Sequence, residues 1–236
     1  MKLFLDTADI EAIELALGWG VCDGVTTNPS IMLKCGVNSA EGMEKRAKDI
    51  AVLIRPRPLS VEVVADDHPA MLYYAKQYAA WADNIAIKIP VTTTSGQSCL
   101  PVVKMLSDAG IAVNVTAMMT FGQLMLAAKA GARYLSLFGG RIDDEGNDAT
   151  EVIRQSAQWL NNTSHDLCIQ HDNLDAPEII VGSTRTVKNV ADWALAGAHI
   201  ITVTPDLLGK MVVNARTKET VAQFLADGEK ALSEIA

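Results

Sequence analysis

Along this chain, short stretches in which apolar and polar residues alternate are separated by longer stretches with helical spacing. In N-I-A-I-K-I-P, Asn84 to Pro90, the isoleucines 85, 87 and 89 share one parity, and Ala86 and Lys88 share the other. A period of two reads as a strand whose isoleucine face packs on helices, so Lys88 points the opposite way. Taken alone, that lysine either sits at a solvated edge that guards against sheet pairing or is buried for a purpose, and the edge is favoured because a lysine is almost never fully buried without a partner. The same reading predicts strands over Lys2 to Thr7, Gly24 to about Asn28, Leu59 to Val64, Ile111 to Thr116, Arg133 to Phe138, Glu178 to Ser183 and His199 to Thr204. Pro29 halts the second of these, because it lacks an amide donor and biases its predecessor away from helix.

Helices are predicted from Ala8-Asp9 to Gly18, over Ala40 to Ile54, Pro69 to Trp81, Ser95 to Ala109, Phe121 to Ala130 and Val187 to Ala196. Gly110 and Gly131 supply C-terminal stops. Gly139 to Asp148 reads as a loop leading to a helix that ends near Asn161, followed by a polar segment. Strand and helix therefore alternate about eight times, which implies parallel strands joined by right-handed crossovers. Over 236 residues this predicts an α/β fold: a single-domain (β/α)8 TIM barrel spanning 1–236, with an additional C-terminal helix from about Lys218 to Ala236. That helix can pack on its own barrel or on a neighbouring subunit. An open doubly wound sheet is the competing architecture, weakened by the lack of G-x-G-x-x-G after the first strand.

Composition changes this picture little. Hydrophobic residues make up 49% and charged residues 20%, so disorder is not expected. The formal net charge of -8 argues against nucleic acid and anionic membranes as partners, both of which need basic faces. An anionic small molecule would need a local basic pocket. Cys22, Cys35, Cys99 and Cys168 show no C-x-x-C spacing and read as free thiols. The opening M-K-L-F-L-D-T offers too short an apolar run for a signal segment, so a cytoplasmic location is expected.

The parity opposite the aliphatic face carries a polar residue near the carboxyl end of strand after strand: Asp6, Asn28, Glu62, Lys88, Asn114 with Thr116, Ser136, and Ser183 just past the seventh. In a barrel these converge on the mouth where active sites are built. Burying so many polar groups costs about 1 to 3 kcal/mol each unless they are paired, so their common placement points to function. An ammonium enclosed by an apolar wall loses hydration, and the neutral amine can attack a carbonyl to form a Schiff base. Carbon–carbon cleavage beside the iminium needs a base on a neighbouring hydroxyl, a role open to Asp6 or Glu62. Asn28, Asn114 and Ser136 suit sugar hydroxyls, and Thr116 with Glu62 could hold a proton-shuttling water. Arg141 and Arg185 lie in the loops after the sixth and seventh strands, either as plain surface arginines or as phosphate ligands. His68, His165, His171 and His199 are scattered; Ser164 to Asn173 holds metal-capable residue types without ligand spacing, so no metal site is expected. Asp143, Asp144 and Glu145, like Asp66 and Asp67, read as solvated loops.

The blocks F-L-D-T at Phe4, D-G-V-T-T-N-P at Asp23, S-V-E-V at Ser60, I-K-I-P at Ile87, N-V-T at Asn114, S-L-F-G-G-R at Ser136 and G-S-T-R at Gly182 resemble the transaldolase family. The likeness is to its short branch, which includes fructose-6-phosphate aldolases. The resemblance implies Lys88 as Schiff-base nucleophile, Asp6 as acid/base, and Glu62 with Thr116 around a catalytic water. It further implies Asn28, Asn114 and Ser136 on the dihydroxyacetone unit, and Arg141, Ser183 and Arg185 on the sugar phosphate. Transfer of a three-carbon ketol unit without metal or organic cofactor follows from it, as do homo-oligomers, pentamers or decamers. Glu62 and Phe138 resemble the transferase pattern, whereas aldolase members carry Gln and Tyr there. Transaldolase is therefore the leading expectation, ahead of an aldolase releasing free dihydroxyacetone and of a barrel that only binds sugar phosphates. The sequence departs from the pattern at Leu137, where proline is usual, at Gly139, where a larger apolar residue is common, and at Thr184, where phenylalanine is common. The stretch from Ser164 to Ala176 also looks longer than usual.

Overall fold

In the computed structural model, which describes residues 1–170 and 176–233, parallel strands close into a barrel in sequence order, β1 pairing with β8. The strands are β1 (Lys2–Asp6), β2 (Gly24–Thr26), β3 (Leu59–Glu62), β4 (Ile85–Pro90), β5 (Val113–Met118), β6 (Tyr134–Phe138), β7 (Glu178–Gly182) and β8 (Ile200–Val203). The helices are α1 (Ile10–Gly18), α2 (Pro29–Lys34), α3 (Ala40–Ile54), α4 (His68–Ala79), α5 (Leu100–Asp108) and α6 (Phe121–Lys129). After β6 come α7 (Gly139–Asp144), α8 (Ala149–Gln170), α9 (Val187–Leu195), α10 (Pro205–Val212) and α11 (Ala215–Ser233). This is the expected (β/α)8 barrel with its C-terminal helix. Among the described residues no helix is long and apolar enough to cross a membrane.

The strand parities divide two cores. Ile85, Ile87, Ile89, Val113, Val115, Leu135 and Leu137 face the helices and belong to the large outer core. Phe4, Ala86, Tyr134, Ile180 and Ile200 form a separate cluster inside the barrel, closing its floor. Gly24 is required there, since a Cβ on it would lie 2.6 Å from the Phe4 ring. The inward polar residues sit one layer above this floor, toward the carboxyl ends of the strands.

Local chemistry sets the helix starts. Asp9, Asn28, Ser39, Asp67, Thr120, Thr186 and Thr204 each cap a first turn with a side-chain oxygen, and Thr120 and Thr186 complete reciprocal capping boxes with Gln123 and Asn189.

Several boundaries differ from the sequence reading. The second strand stops at Thr26, short of the expected Asn28, and Pro29 opens α2 with Asn28 as its cap. The expected loop from Gly139 contains α7, and α8 runs past Asn161 to Gln170, taking in His165 and Cys168. The expected helix start at Ser95 gives way to a turn in which Thr92 bridges Ser98 and Thr93 N–H donates to the Gln97 carbonyl, so α5 begins at Leu100. After β8 the chain forms α10, and the terminal helix starts at Ala215. His171 and the end of the Ser164 to Asn173 segment lie outside the described residues.

Below the floor, the Ile179 N–H donates to His199 Nδ1 at 2.9 Å, which makes the ring an acceptor. Burial pushes this imidazole below its ordinary value of 6.5, against the opposing pull of Glu178. A depressed folded-state value means that the unfolded chain takes up the proton first, so stability falls as pH falls. The His199 contribution is complete above pH 6.5 and is lost through the lowered value. Urea midpoints measured from pH 8 to 5 should show this slope in the parent and a flatter one in His199→Gln.

Candidate active site

The strand ends surround a cavity of about 320 Å³ at the barrel mouth, lined by residues of β1, β2, β4 to β8, α2 and α7. Lys88, at the upper end of β4, is 5% exposed. Its register neighbours are Glu62 on β3 and Asn114 on β5. The Nζ atom lies 3.1 Å from Glu62 Oε2 and donates to the Thr27 carbonyl at 3.1 Å. The solvated-edge reading of this lysine is therefore overturned: it is buried and paired with Glu62.

Asp6 lines the same cavity, and Thr26 Oγ1 donates to its Oδ1 at 2.7 Å. Its carboxyl keeps some exposure to the cavity, but protein atoms surround it on the other sides. Burial pushes it above its ordinary value of 3.8, while the Lys88 ammonium and the Thr26 hydroxyl pull the other way. Glu62 reinforces the rise by like-charge repulsion. The two carboxylates thus differ: Glu62 is ion-paired to the amine, and Asp6 faces the cavity holding its proton more tightly than a free aspartate. On its far side Glu62 borders a second hollow with Asp66 and Thr92 to Thr94, where Asp66 accepts from both the amide and the hydroxyl of Thr94.

Asn28 lines the cavity while its Oδ1 accepts from the Ile31 N–H at 2.9 Å, leaving its amide group for a ligand. Asn114 is fully buried and does not line the cavity. It donates to Ser60 Oγ at 3.0 Å and accepts from Ser136 Oγ at 2.7 Å, which fixes the hydroxyl that Ser136 presents to the cavity. Thr116 also lines the cavity; its buried hydroxyl has no hydrogen-bond partner among the described residues. A buried donor left unpaired is costly, so this hydroxyl is suited to a polar ligand or water.

Ser183 lines the cavity from just beyond β7 with φ of 60°, in the left-handed region that a non-glycine residue rarely adopts. Arg141, on α7, lies over the Phe138 ring with its guanidinium carbon 5.1 Å from the centroid, and both line the cavity. Arg185 is placed differently. It forms a two-pronged ion pair with Asp144 and is not part of the cavity wall. Asp144, read from sequence as a solvated loop residue, is thus an arginine partner on α7.

Sequence reading missed Thr26, Ser60 and Thr202, although all three share the inward parity of their strands. It also missed Ser30, Ile31 and Lys34, which enter the wall through α2. The signal for these was the Asn28-Pro29 pair, a helix cap followed by a first-turn proline. Among the described residues no group of three or more His, Cys, Asp or Glu side chains is placed to hold a metal ion.

Residues 3–235 match the family described as Transaldolase/Fructose-6-phosphate aldolase. The chain belongs to this family. A probable transaldolase of Nitrosopumilus maritimus (strain SCM1) is 37% identical over 234 residues, covering 99% of this chain and 97% of that protein. A probable transaldolase of Bacillus cereus (strain ZK / E33L) is 39% identical over 230 residues, covering 98% of each. Solved structures with the same barrel include a thiamine phosphate pyrophosphorylase from Pyrococcus furiosus, with a TM-score of 0.57 and 14% identity, covering 86% of this chain and 85% of that one. A 3-hexulose-6-phosphate synthase from Salmonella typhimurium has a TM-score of 0.53 and 19% identity, covering 86% and 89%. At these identities the likeness is one of fold alone. Family membership carries the site beyond fold: this is an enzyme of the transaldolase/aldolase family, and the residues around Lys88 are its candidate machinery.

Proposed function

We propose that this chain is a Schiff-base transaldolase, moving a dihydroxyacetone unit from a ketose phosphate such as sedoheptulose 7-phosphate or fructose 6-phosphate to an aldose phosphate such as glyceraldehyde 3-phosphate or erythrose 4-phosphate. The observation that carries the reading is the buried Lys88 amine, held between Glu62 and the Thr27 carbonyl with Asp6 on the same cavity wall.

As the donor carbonyl arrives, the Lys88 ammonium passes a proton to Glu62 and the nitrogen attacks C2. The nitrogen passes a proton to the new alkoxide, and the resulting hydroxyl takes a second proton back from Glu62 and leaves as water, with Thr116 positioned to hold that water, and an iminium remains. Asp6 then removes the proton of the C4 hydroxyl, the C3–C4 bond breaks, and its electron pair moves into the iminium to give an enamine. The shortened aldose departs. The acceptor aldehyde takes its place, the enamine attacks it, and Asp6 returns the proton. Hydrolysis of the new iminium releases product and frees Lys88. Asn28 and Ser136 would hold the hydroxyls of the three-carbon unit, Asn114 would position Ser136, and Arg141 with Ser183 would meet the phosphate. Arg185 would join them only by leaving Asp144.

Phe138 supports transfer over release. It offers a ring with no phenol to deliver water or a proton to the enamine, and Glu62 is the acidic member of the pair that the resemblance associates with transfer.

Borohydride reduction in the presence of fructose 6-phosphate should add the mass of a reduced dihydroxyacetone unit to Lys88, located by peptide mass spectrometry. No adduct on Lys88 would leave only a binding protein. With the adduct in hand, turnover that requires erythrose 4-phosphate distinguishes transfer from aldolase-type release of dihydroxyacetone.

A homo-oligomer belongs to this reading as well. No described residue of α11 is buried, and it exposes Val221, Phe224, Leu225 and Leu232, an apolar set suited to another subunit.

A further inference from the structure

The cavity rim carries cations from two directions. Arg141 stands on α7, after β6, and Lys34 on the last turn of α2, after β2. In the closed order β1 to β8, strands two and six lie opposite one another, so these side chains reach the mouth from facing walls. Lys34 is exposed, has no carboxylate partner within salt-bridge distance among the described residues, and its charge is felt by Asp6 inside the cavity. Arg185, the second arginine suggested by the sequence, is tied to Asp144 off the cavity wall. In a chain with a net charge of -8, an unpaired lysine at the lip of a cavity is a local feature that favours anions.

We infer that Lys34 is a specificity-determining residue for the anionic tail of the substrate, closing on it from the wall opposite Arg141. The inference rests on the proposed sugar-phosphate chemistry and adds to it a second cation outside the arginine motifs. The two cations differ in character. Arg141 is held over Phe138 and offers a planar fork to the phosphate oxygens, whereas Lys34 is a point charge on a flexible stem. A flexible cation can follow tails that end at different heights above Lys88, as six-carbon and seven-carbon donors require. The competing role for Lys34 is purely structural, compensating the negative end of α2.

The test compares a phosphorylated donor, fructose 6-phosphate, with its unphosphorylated counterpart, fructose, using an unphosphorylated acceptor. Loss of a charge-assisted hydrogen bond to the phosphate means that Lys34→Gln should raise the ratio of the phosphorylated to the unphosphorylated KM by roughly tenfold or more. Lys34→Arg should restore most of it. Binding of inorganic phosphate, measured by calorimetry, should weaken in parallel in the Gln variant. An unchanged KM ratio together with unchanged phosphate affinity would reduce Lys34 to a helix-end charge and overturn the inference. Phosphate binding needs no turnover, so it judges Lys34 even if the Lys88 adduct fails to form, and that adduct separately judges the reaction.

Discussion

Asp6→Asn should lower turnover of the ketose donor by about a thousandfold, as expected for the loss of a positioned general base. The same variant should be at least as stable as the parent at neutral pH. The two effects have one origin. The carboxylate is enclosed strongly enough that burial raises its value above 3.8 despite the nearby ammonium, so the folded protein takes up this proton more readily than the unfolded chain does. A raised value implies stability that is fully present below 3.8 and is lost as pH rises through the folded-state value. Asparagine is uncharged, can still accept from Thr26, and removes that cost. Thermal midpoints at pH 4 and pH 7 should therefore show the variant gaining on the parent as pH rises, while donor KM moves much less than kcat. A variant that binds donor poorly yet cleaves it at the parental rate would contradict the role given to Asp6.

The second large effect is expected at Gly140→Ala. A methyl group on this residue would run into the Ser183 carbonyl and lie 2.9 Å from Arg185 Nε and from Ser183 Oγ. The nearest obstacle is backbone, which cannot rotate aside, so either α7 or the loop after β7 must shift. Such overpacking typically costs about 1–3 kcal/mol, read as a lowered urea midpoint. The shift also carries the base of Arg141 away from Ser183, so KM for phosphorylated donors should rise more than KM for unphosphorylated ones. A variant with the parental midpoint and the parental KM ratio would show that the contact relaxes without cost.

These two residues illustrate what the sequence could and could not convey. Asp6 was legible: its place at the end of an alternating strand, on the parity shared with Glu62, Lys88 and Ser136, required only a period of two and a barrel. Gly140 was not, because its importance depends on a carbonyl more than forty positions later in the chain. Gly139 is similar. Its departure from the family pattern could be seen, but the reason lies in Trp193, whose buried ring would be 2.5 Å from any Cβ placed there. The short helices α2, α7 and α10 were missed for a further reason: six to eight residues give too few turns for an apolar period to stand out. The omission of α2 also hid Lys34. Leu137, where proline is usual, packs in the outer core and pairs with Val181. Nothing in the structure explains Thr184, whose hydroxyl is buried without a partner among the described residues.

The plug of Phe4, Ala86, Tyr134, Ile180 and Ile200 has a kinetic consequence. A chamber stoppered at its base has one doorway for anything as large as a sugar. In the proposed reaction the first aldehyde would have to back out past the rim before the second could come in, and in the interval the three-carbon fragment would stay tethered to the wall. The order of events, out before in, would then be imposed by the shape of the vessel, and a ping-pong rate law in steady-state kinetics is the expected result.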